Sequence, residues 1–494
     1  WVAGGNPCGT CGRPPLAAAH CASAKLLAFD GAAGDGLGIS VSISGDVAVV
    51  GAIGDDDNGA DSGSAYIFRF NGSAWVQEAK LTASDGAVLD QFGISVSISG
   101  DVAVVGADRD DDNGADSGSA YVFVKPPGGW VDMTQTAKLT ASDGAVSDLL
   151  GFSVSISGEV AVVGALGDND NGFNSGSAYV FVKPPGGWVS MTQTAKLTAS
   201  DGAAGDEFGI SVSISGEVIV VGAYRDDDNG ADSGSAYVFQ KPVGGWVDMT
   251  QTATLTAFDG AAGDRFGGSV SISGEVLVVG ARLDDDNGGS SGSAYVFVKP
   301  PGGWVGMTET AKLTAADGAV NDFFGGSVSI SGEVAVVGAL GDDDNGSFSG
   351  SAYVFEEPVG GWADMTQTAK LTAADSAASD QFGVSVSISG ELAVVGAWRD
   401  NDNGDASGSA YVYIQSGIDC NRNGQPDACD VFLGTSCDSN ANFIPDECEL
   451  AASAADITGP GGAPDGCVDA FDLGALLAAW CSVAGGNPCG TCGP

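Results

Sequence analysis

One phrase, Gly-x-Ser-Val-Ser-Ile-Ser-Gly, begins at Gly38, Gly93, Gly151, Gly209, Gly267, Gly325 and Gly383, with spacings of 55 and then 58 residues. Self-similarity at a fixed period of this length is the signature of a repeat architecture, in which each unit buries its apolar face only against its neighbours. Each unit reads as four short strands. Val41 and Ile43 alternate with serines, the period-two pattern of a strand with one buried face. Val47 to Val50 form a fully apolar run, Ala65 to Phe68 a third strand, and Trp75 to Leu81 a fourth, with Gly, Asp, Asn and Pro between them. Four strands per unit, repeated seven times, predict an all-β fold, a seven-bladed β-propeller. An open solenoid of stacked sheets is the alternative.

The ends of the repeat array say how the ring closes. Six units finish in a Leu-centred strand, at Leu81, Leu139, Leu197, Leu255, Leu313 and Leu371, whereas the seventh leaves the pattern between Tyr411 and Gln415. Ala24-Lys25-Leu26-Leu27-Ala28, ahead of the first unit, copies the missing segment. An N-terminal strand that completes the last blade would remove the free sheet edges.

The residues in these strands resemble the FG-GAP repeat family, the seven-bladed type also found in integrin α-subunit heads. The resemblance covers Ala24 to Gln415. It rests on Phe92-Gly93, repeated as Phe208-Gly209, Phe266-Gly267 and Phe382-Gly383, on the strand end Val50-Gly51-Ala52, recurring through Val395-Gly396-Ala397, and on Gly-Ser-Ala-Tyr-Val-Phe. It implies a propeller and an adhesion role. The family's calcium loop, just before the Gly-Ala strand, is here reduced to Ser44-Gly45-Asp46, so that metal site does not carry over.

Acidic residues recur elsewhere in each unit. After each Gly-Ala strand comes an Asp-x-Asp-Asn-Gly loop offering Asp55 with Asp57, Asp110 with Asp112, Asp168 with Asp170, Asp226 with Asp228, Asp284 with Asp286, Asp342 with Asp344, and Asp400 with Asp402. Oxygen ligands on alternating residues before a turn glycine suit a hard cation such as calcium. A second pair precedes each Phe-Gly, for example Asp85 with Asp90 and Asp201 with Asp206. Two other readings stay open: ordinary turn chemistry, and an acidic surface suited to a salty habitat. Six units also carry a Trp after a Gly-rich turn, at Trp75, Trp130, Trp188, Trp246, Trp304 and Trp362. These either stack on sugars or, the favoured reading, pack beneath their own hairpins.

With 18 Lys and Arg against 64 Asp and Glu, the net charge is −46, which excludes a nucleic-acid binder working through a basic face. The chain is 44% hydrophobic and able to bury a core. No apolar run approaches the ~18 residues of a membrane-spanning helix. The start at Trp1, without a Met, reads as a processed, soluble chain.

The C-terminal region differs in kind. Asp419, Asn421, Asn423, Asp427 and Asp430 stand at positions 1, 3, 5, 9 and 12 of a loop with Gly424 at position 6 and Gln425 at position 7, the spacing of an EF-hand calcium loop. Asp438, Asn440, Asn442, Asp446 and Glu449 repeat it, with Phe443 in place of the glycine. Internal cysteines and the lack of flanking helices make both resemble thrombospondin type-3 repeats. Asp456, Asp465, Asp469 and Asp472, followed by a helical pattern from Leu473 to Trp480, resemble one half of a dockerin, whose second half is absent. The expected domains are a Cys-rich segment 1–23, the propeller 24–416, calcium loops 417–450, a dockerin-like segment 451–482 and a Cys-rich tail 483–494.

Cysteines fall only at the ends: Cys8, Cys11 and Cys21, then Cys420, Cys429, Cys437, Cys448, Cys467, Cys481, Cys489 and Cys492. Such small segments are commonly stapled by disulfides, which implies an oxidising, extracellular location. Eleven is odd, so at least one thiol is free, metal-bound or paired with another chain. Val2 to Gly12 and Val483 to Gly493 are identical, VAGGNPCGTCG. Two Cys-x-x-Cys pairs could hold zinc, close local disulfides, or join head to tail between subunits.

His20 is the only histidine and lies outside the repeats, so a Ser-His-Asp or Cys-His site on the propeller is excluded. No phosphate-binding or dinucleotide motif is present. The expectation is a non-enzyme. Two functions fit: a calcium-stabilised building block that self-associates head to tail into a fibre or surface layer, or a surface-tethered propeller binding a cell-surface protein or glycan. No nucleic acid and no membrane insertion are expected.

Overall fold

The computed structural model describes residues 21–414. The roles expected of Cys8, of Cys11, of every cysteine from Cys420 onward, of the calcium loops 417–450 and of the dockerin-like segment lie outside the described residues. Of Cys21 only the backbone is described.

The described strands form seven sheets, one per blade, whose four main strands run antiparallel. Blade 1 runs from an inner strand, Leu37–Ser44, through Val47–Ala52 and Ser64–Phe70 to an outer strand, Trp75–Thr82. Each inner strand lies against the inner strand of the next blade, and that of blade 7, Val386–Ser389, lies against that of blade 1, so the ring is closed. The closing strand Cys21–Leu26 pairs antiparallel with Ser409–Ile414 and supplies the outer strand of blade 7, as the copied Ala-Lys-Leu predicts. Cys21 stands opposite Ile414 and Leu26 opposite Ala410.

The core lies between blades. Val49, Ile67 and Leu81 of blade 1 pack against Phe92, Val105 and Tyr121 of blade 2, and Phe92 meets Tyr121 and Phe123 with ring centroids 5.4 and 5.9 Å apart. The Gly-Ala glycines let neighbouring blades approach. A Cβ on Gly51 would lie 2.0 Å from the Gly93 carbonyl oxygen of blade 2. The five tryptophans from Trp130 to Trp362 belong to these inter-blade clusters and are buried, which removes them as sugar platforms. Trp75 instead lies half-buried against Phe70.

Two devices link the blades beyond apolar packing. The alternating serines of the inner strands are not merely solvent-facing. Ser42 Oγ accepts from Ile98 N of the next blade at 3.1 Å, Ser44 Oγ from Gly100 N at 3.1 Å, and Ser387 of blade 7 from Ile43 N of blade 1 at 3.1 Å. Backbone donors on each blade's free inner edge, which would otherwise lack partners, are thus satisfied around the ring. The second device is a two-residue strand, Met133–Thr134, from repeat 2 that pairs in parallel with Leu81 and Thr82 of blade 1. Met191, Met249 and Met365 form the same clip on blades 2, 3 and 5, and Met307 bridges Leu255 of blade 4.

Candidate functional site

All the acidic loops stand at one face of the propeller, where inner strands begin and the Gly-Ala strands end. Each tight turn is built by Asp side chains accepting backbone N–H groups, the local competition with regular structure for which Asp is suited. In blade 1, Asp55 is only 4% exposed. Its Oδ1 accepts from Ser64 Oγ at 3.1 Å and from Asp57 N at 3.2 Å, and its Oδ2 accepts from Tyr66 Oη at 2.7 Å.

At the centre of the cluster is a lysine. Lys80 Nζ lies 2.7 Å from Asp30, 2.9 Å from Asp55 and 2.6 Å from Asp57, and sits over the Tyr66 ring at 5.2 Å. Lys138, Lys196, Lys312, Lys370 and Lys25 stand at the same place in blades 2, 3, 5, 6 and 7. Burial opposes the charge on Lys80, yet hydrogen bonds to Asp30, Asp57 and Asp55 outweigh it and hold the ammonium above its ordinary range. Burial, followed by the charge of Asp55, pushes the Tyr66 hydroxyl far up, so it remains a donor.

In five blades the three carboxylates lie within 4.8 Å of one another, a spacing able to hold a metal ion. The trios are Asp30 with Asp55 and Asp57, and their equivalents headed by Asp85, Asp143, Asp259 and Asp317. The grouping cuts across the expected pairs. Asp85 joins Asp110 and Asp112, whereas Asp90 turns away and accepts from Ala87 N at 2.7 Å. In these blades, a divalent ion has to contend with the chain's own ammonium. Blade 4 differs: Thr254, paired with Tyr237, stands where blade 1 has Lys80 paired with Tyr66. Asp226 keeps its bonds from Ser235, Tyr237 and Asp228 N. Burial and then the charges of Asp226 and Asp201 raise the Asp228 carboxyl, which has no lysine beside it, and these three carboxylates fall outside the 4.8 Å grouping of the five blades.

The lysines were not among the sequence-predicted site residues. Their signal was the recurring Ala-Lys-Leu-Thr, broken once as Ala-Thr-Leu-Thr at Thr254.

Matches to the FG-GAP repeat family model cover residues 22–68, 75–123, 133–181, 191–239, 249–297, 307–355 and 365–413. The chain belongs to the FG-GAP repeat family. Among solved structures, the WD40 β-propeller domain of Doa1 aligns over 80% of this chain and 97% of its own, at 11% identity and a TM-score of 0.46. No curated protein matches the sequence. The FG-GAP repeat fold fits a surface or adhesion-type role, and no helix of the described residues is long and apolar enough to cross a membrane.

The FG-GAP blades differ from one another most plainly at the mouth of the central channel. The residue after Gly-Ala is Ile53, Asp108, Leu166, Tyr224, Arg282, Leu340 or Trp398, different in size or charge in almost every blade. Trp398 reaches across a blade boundary: its Nε1 donates to Gln381 of its own repeat at 2.5 Å, and its ring lies 3.4 Å from where a Cβ on Gly36 of repeat 1 would stand.

The buried turn carboxylates make stability depend on pH. Asp90, Asp148, Asp206 and Asp322 are pushed up to about 6, from 3.8, chiefly by burial. A carboxyl raised on folding favours the folded state below its unfolded value, and that contribution is lost as pH rises through about 6. Asp30, Asp143, Asp259 and Asp375 act oppositely: burial alone would raise them, but lysine hydrogen bonds hold them below the ordinary range, and their contribution fades only in stronger acid. The melting temperature is therefore expected to rise as pH falls from 7.5 to 5.5, and to drop again below about 4. Calorimetry across that range checks it, and Asp148→Asn should flatten part of the rise. A monotonic fall from 7.5 would contradict the assignment.

Proposed function

We propose that this is an extracellular, non-enzymatic adhesion propeller that displays the channel-mouth face to a surface protein or glycan and takes calcium at its acidic loops. The observation that supports the display role is the change in charge and size, among near-identical blades, of the residue after Gly-Ala, from Ile53 and Asp108 to Tyr224, Arg282 and Trp398. A purely architectural ring has no use for such differences. The calcium reading falls on Asp201, Asp226 and Asp228, where Thr254 leaves the carboxylates without a lysine and the ion itself would draw them into the 4.8 Å grouping that five other blades show. The hard oxygen set suits this ion, and binding to the folded state alone raises stability by mass action.

A second reading, a building block polymerising head to tail, is favoured by one pair of facts. The same eleven residues open and close the chain, and the closing strand begins opposite the end of blade 7.

Negative-stain imaging of the full chain, with and without reductant, separates the two. Monodisperse particles that bind a panel of immobilised extracellular glycans and proteins, and lose that binding in Tyr224→Ala, support adhesion. Reductant-sensitive polymers that disappear on deleting Val2 to Gly12 support the building block. For calcium, chelation at constant ionic strength should lower the melting temperature of the wild type and leave that of Thr254→Lys unchanged. Equal responses would remove blade 4 as the site.

A further inference from the structure

The propeller's arginines are unevenly placed. Of the six among residues 21–414, five (Arg109, Arg225, Arg265, Arg282 and Arg399) stand at the channel mouth, and only Arg69 lies elsewhere. Three of the five meet in one sector, between blades 4 and 5, around Tyr224. The guanidinium carbons of Arg225 and Arg265 each lie 5.3 Å from the centre of the Tyr224 ring.

This sector is built from within. Glu207, 8% exposed, accepts from Tyr224 Oη at 2.8 Å and lies 3.0 Å from Arg225 Nη1, which fixes both side chains. Arg225 Nε is buried without a hydrogen-bond partner. Glu207 is engaged by Arg225 and Tyr224, and among the described residues neither Arg265 nor Arg282 forms an ion pair. Desolvation and then the neighbouring Arg265 lower the proton affinity of Arg282, although much of its side chain reaches solvent. In a chain of net charge −46, with acids close by on the same face, two guanidinium groups without an ion pair beside a third that has one are not explained by the fold.

The sector also has room. At the inner-strand position that carries Ile39, Ile94, Phe152, Ile210 and Val384 in five repeats, repeats 5 and 6 have Gly268 and Gly326, and only Gly268 stands beside the arginine sector. A Cβ there would meet only the Arg265 carbonyl oxygen at 3.4 Å and Tyr224 Cβ at 3.9 Å, and the backbone does not require glycine. The missing side chain leaves a notch beside Tyr224 and Arg265.

We infer that Arg225, Arg265 and Arg282, with Tyr224 and the notch at Gly268, form a binding site for a terminal oxoanion, a carboxylate or a sulfate ester, carried by the propeller's ligand. Guanidinium groups offer forked donors that match such oxygens, and a site pre-ordered by Glu207 loses little side-chain freedom on binding. The inference rests on the adhesion reading for its biological setting, but the anion probes bind in a propeller of any location, so the two can fail separately.

The test is isothermal titration of the full chain with sodium sulfate and with sodium acetate, ionic strength being held constant with sodium chloride. The wild type is expected to bind one of them with one-to-one stoichiometry. Arg265→Ala should weaken binding at least tenfold by removing charge. Gly268→Ile should do the same by filling the notch, in a side chain that repeat 4 already accommodates as Ile210. Arg69→Ala, away from the mouth, should stay within twofold, and melting curves confirm that each variant is folded. Tighter sulfate binding points to a sulfated ligand and tighter acetate binding to a carboxylated one. Absence of binding to both anions, or affinities unchanged in Arg265→Ala and Gly268→Ile, would overturn the inference.

Discussion

A chain lacking residues 1–29 is expected to aggregate where the full chain does not. The deletion removes the strand Cys21–Leu26, leaving the backbone groups of Ser409–Ile414 unpaired along an exposed edge. It uncovers apolar surface beneath Leu26, which is 2% exposed, and takes away Lys25, whose ammonium lies 2.7, 2.8 and 2.6 Å from Asp375, Asp400 and Asp402. A long unpaired edge is a template for association, so aggregates or domain-swapped species should replace the monomer in size-exclusion chromatography. A synthetic peptide spanning residues 20–30 should restore the monomer by occupying the vacant edge. Deleting residues 1–19 alone should leave the propeller's melting curve unchanged. A monomeric product from the longer deletion would mean that six complete blades and the remainder of the seventh suffice.

The second large effect concerns the lysines. Lys196→Met is expected to destabilise the protein by about 3 kcal/mol, the lower end of the range for removing one partner of a buried ion pair. The Lys196 side chain is 11% exposed and contacts Asp168, which is 4% exposed; Asp143 and Asp170, at 43% and 55%, reach solvent and soften the loss. What remains is a trio of carboxylates within 4.8 Å of one another without a counter-charge. Millimolar calcium should therefore recover some of the lost stability in Lys196→Met and leave the wild-type cluster of that blade unaffected. Chemical denaturation with and without calcium measures both. A variant as stable as the wild type would mean that solvent screens the trio by itself.

The seven blades and the closure were legible because they are written in long-range copying: seven copies of one phrase, and Ala-Lys-Leu displaced to the front of the chain. The Met-Thr clips were not, because a two-residue strand has no periodicity of its own. The acidic loops were legible as places that need positive charge, but not the source of that charge. Lys80 and its equivalents occupy the polar positions of an alternating strand, indistinguishable in sequence from a solvated face. Tyr66 and Lys80 are 14 residues apart in sequence and become neighbours only through strand register. The serines of the inner strands read as the polar half of an alternation, and only the ring gives their hydroxyls a backbone donor from the next blade. Glu207, Tyr224 and Arg265 meet across a blade boundary that no single repeat contains.

The pairing of the closing strand bears on how the molecule carries load. Cys21 and Ile414 face each other, so tension applied through both chain ends acts at one end of a single antiparallel ladder. Pulled from there, its hydrogen bonds break in succession, as in unzipping, rather than sharing the force as they would in shear. Lys25, further along that ladder, is the last rivet before the ring opens. Blade 7 is thus the mechanical fuse of the propeller.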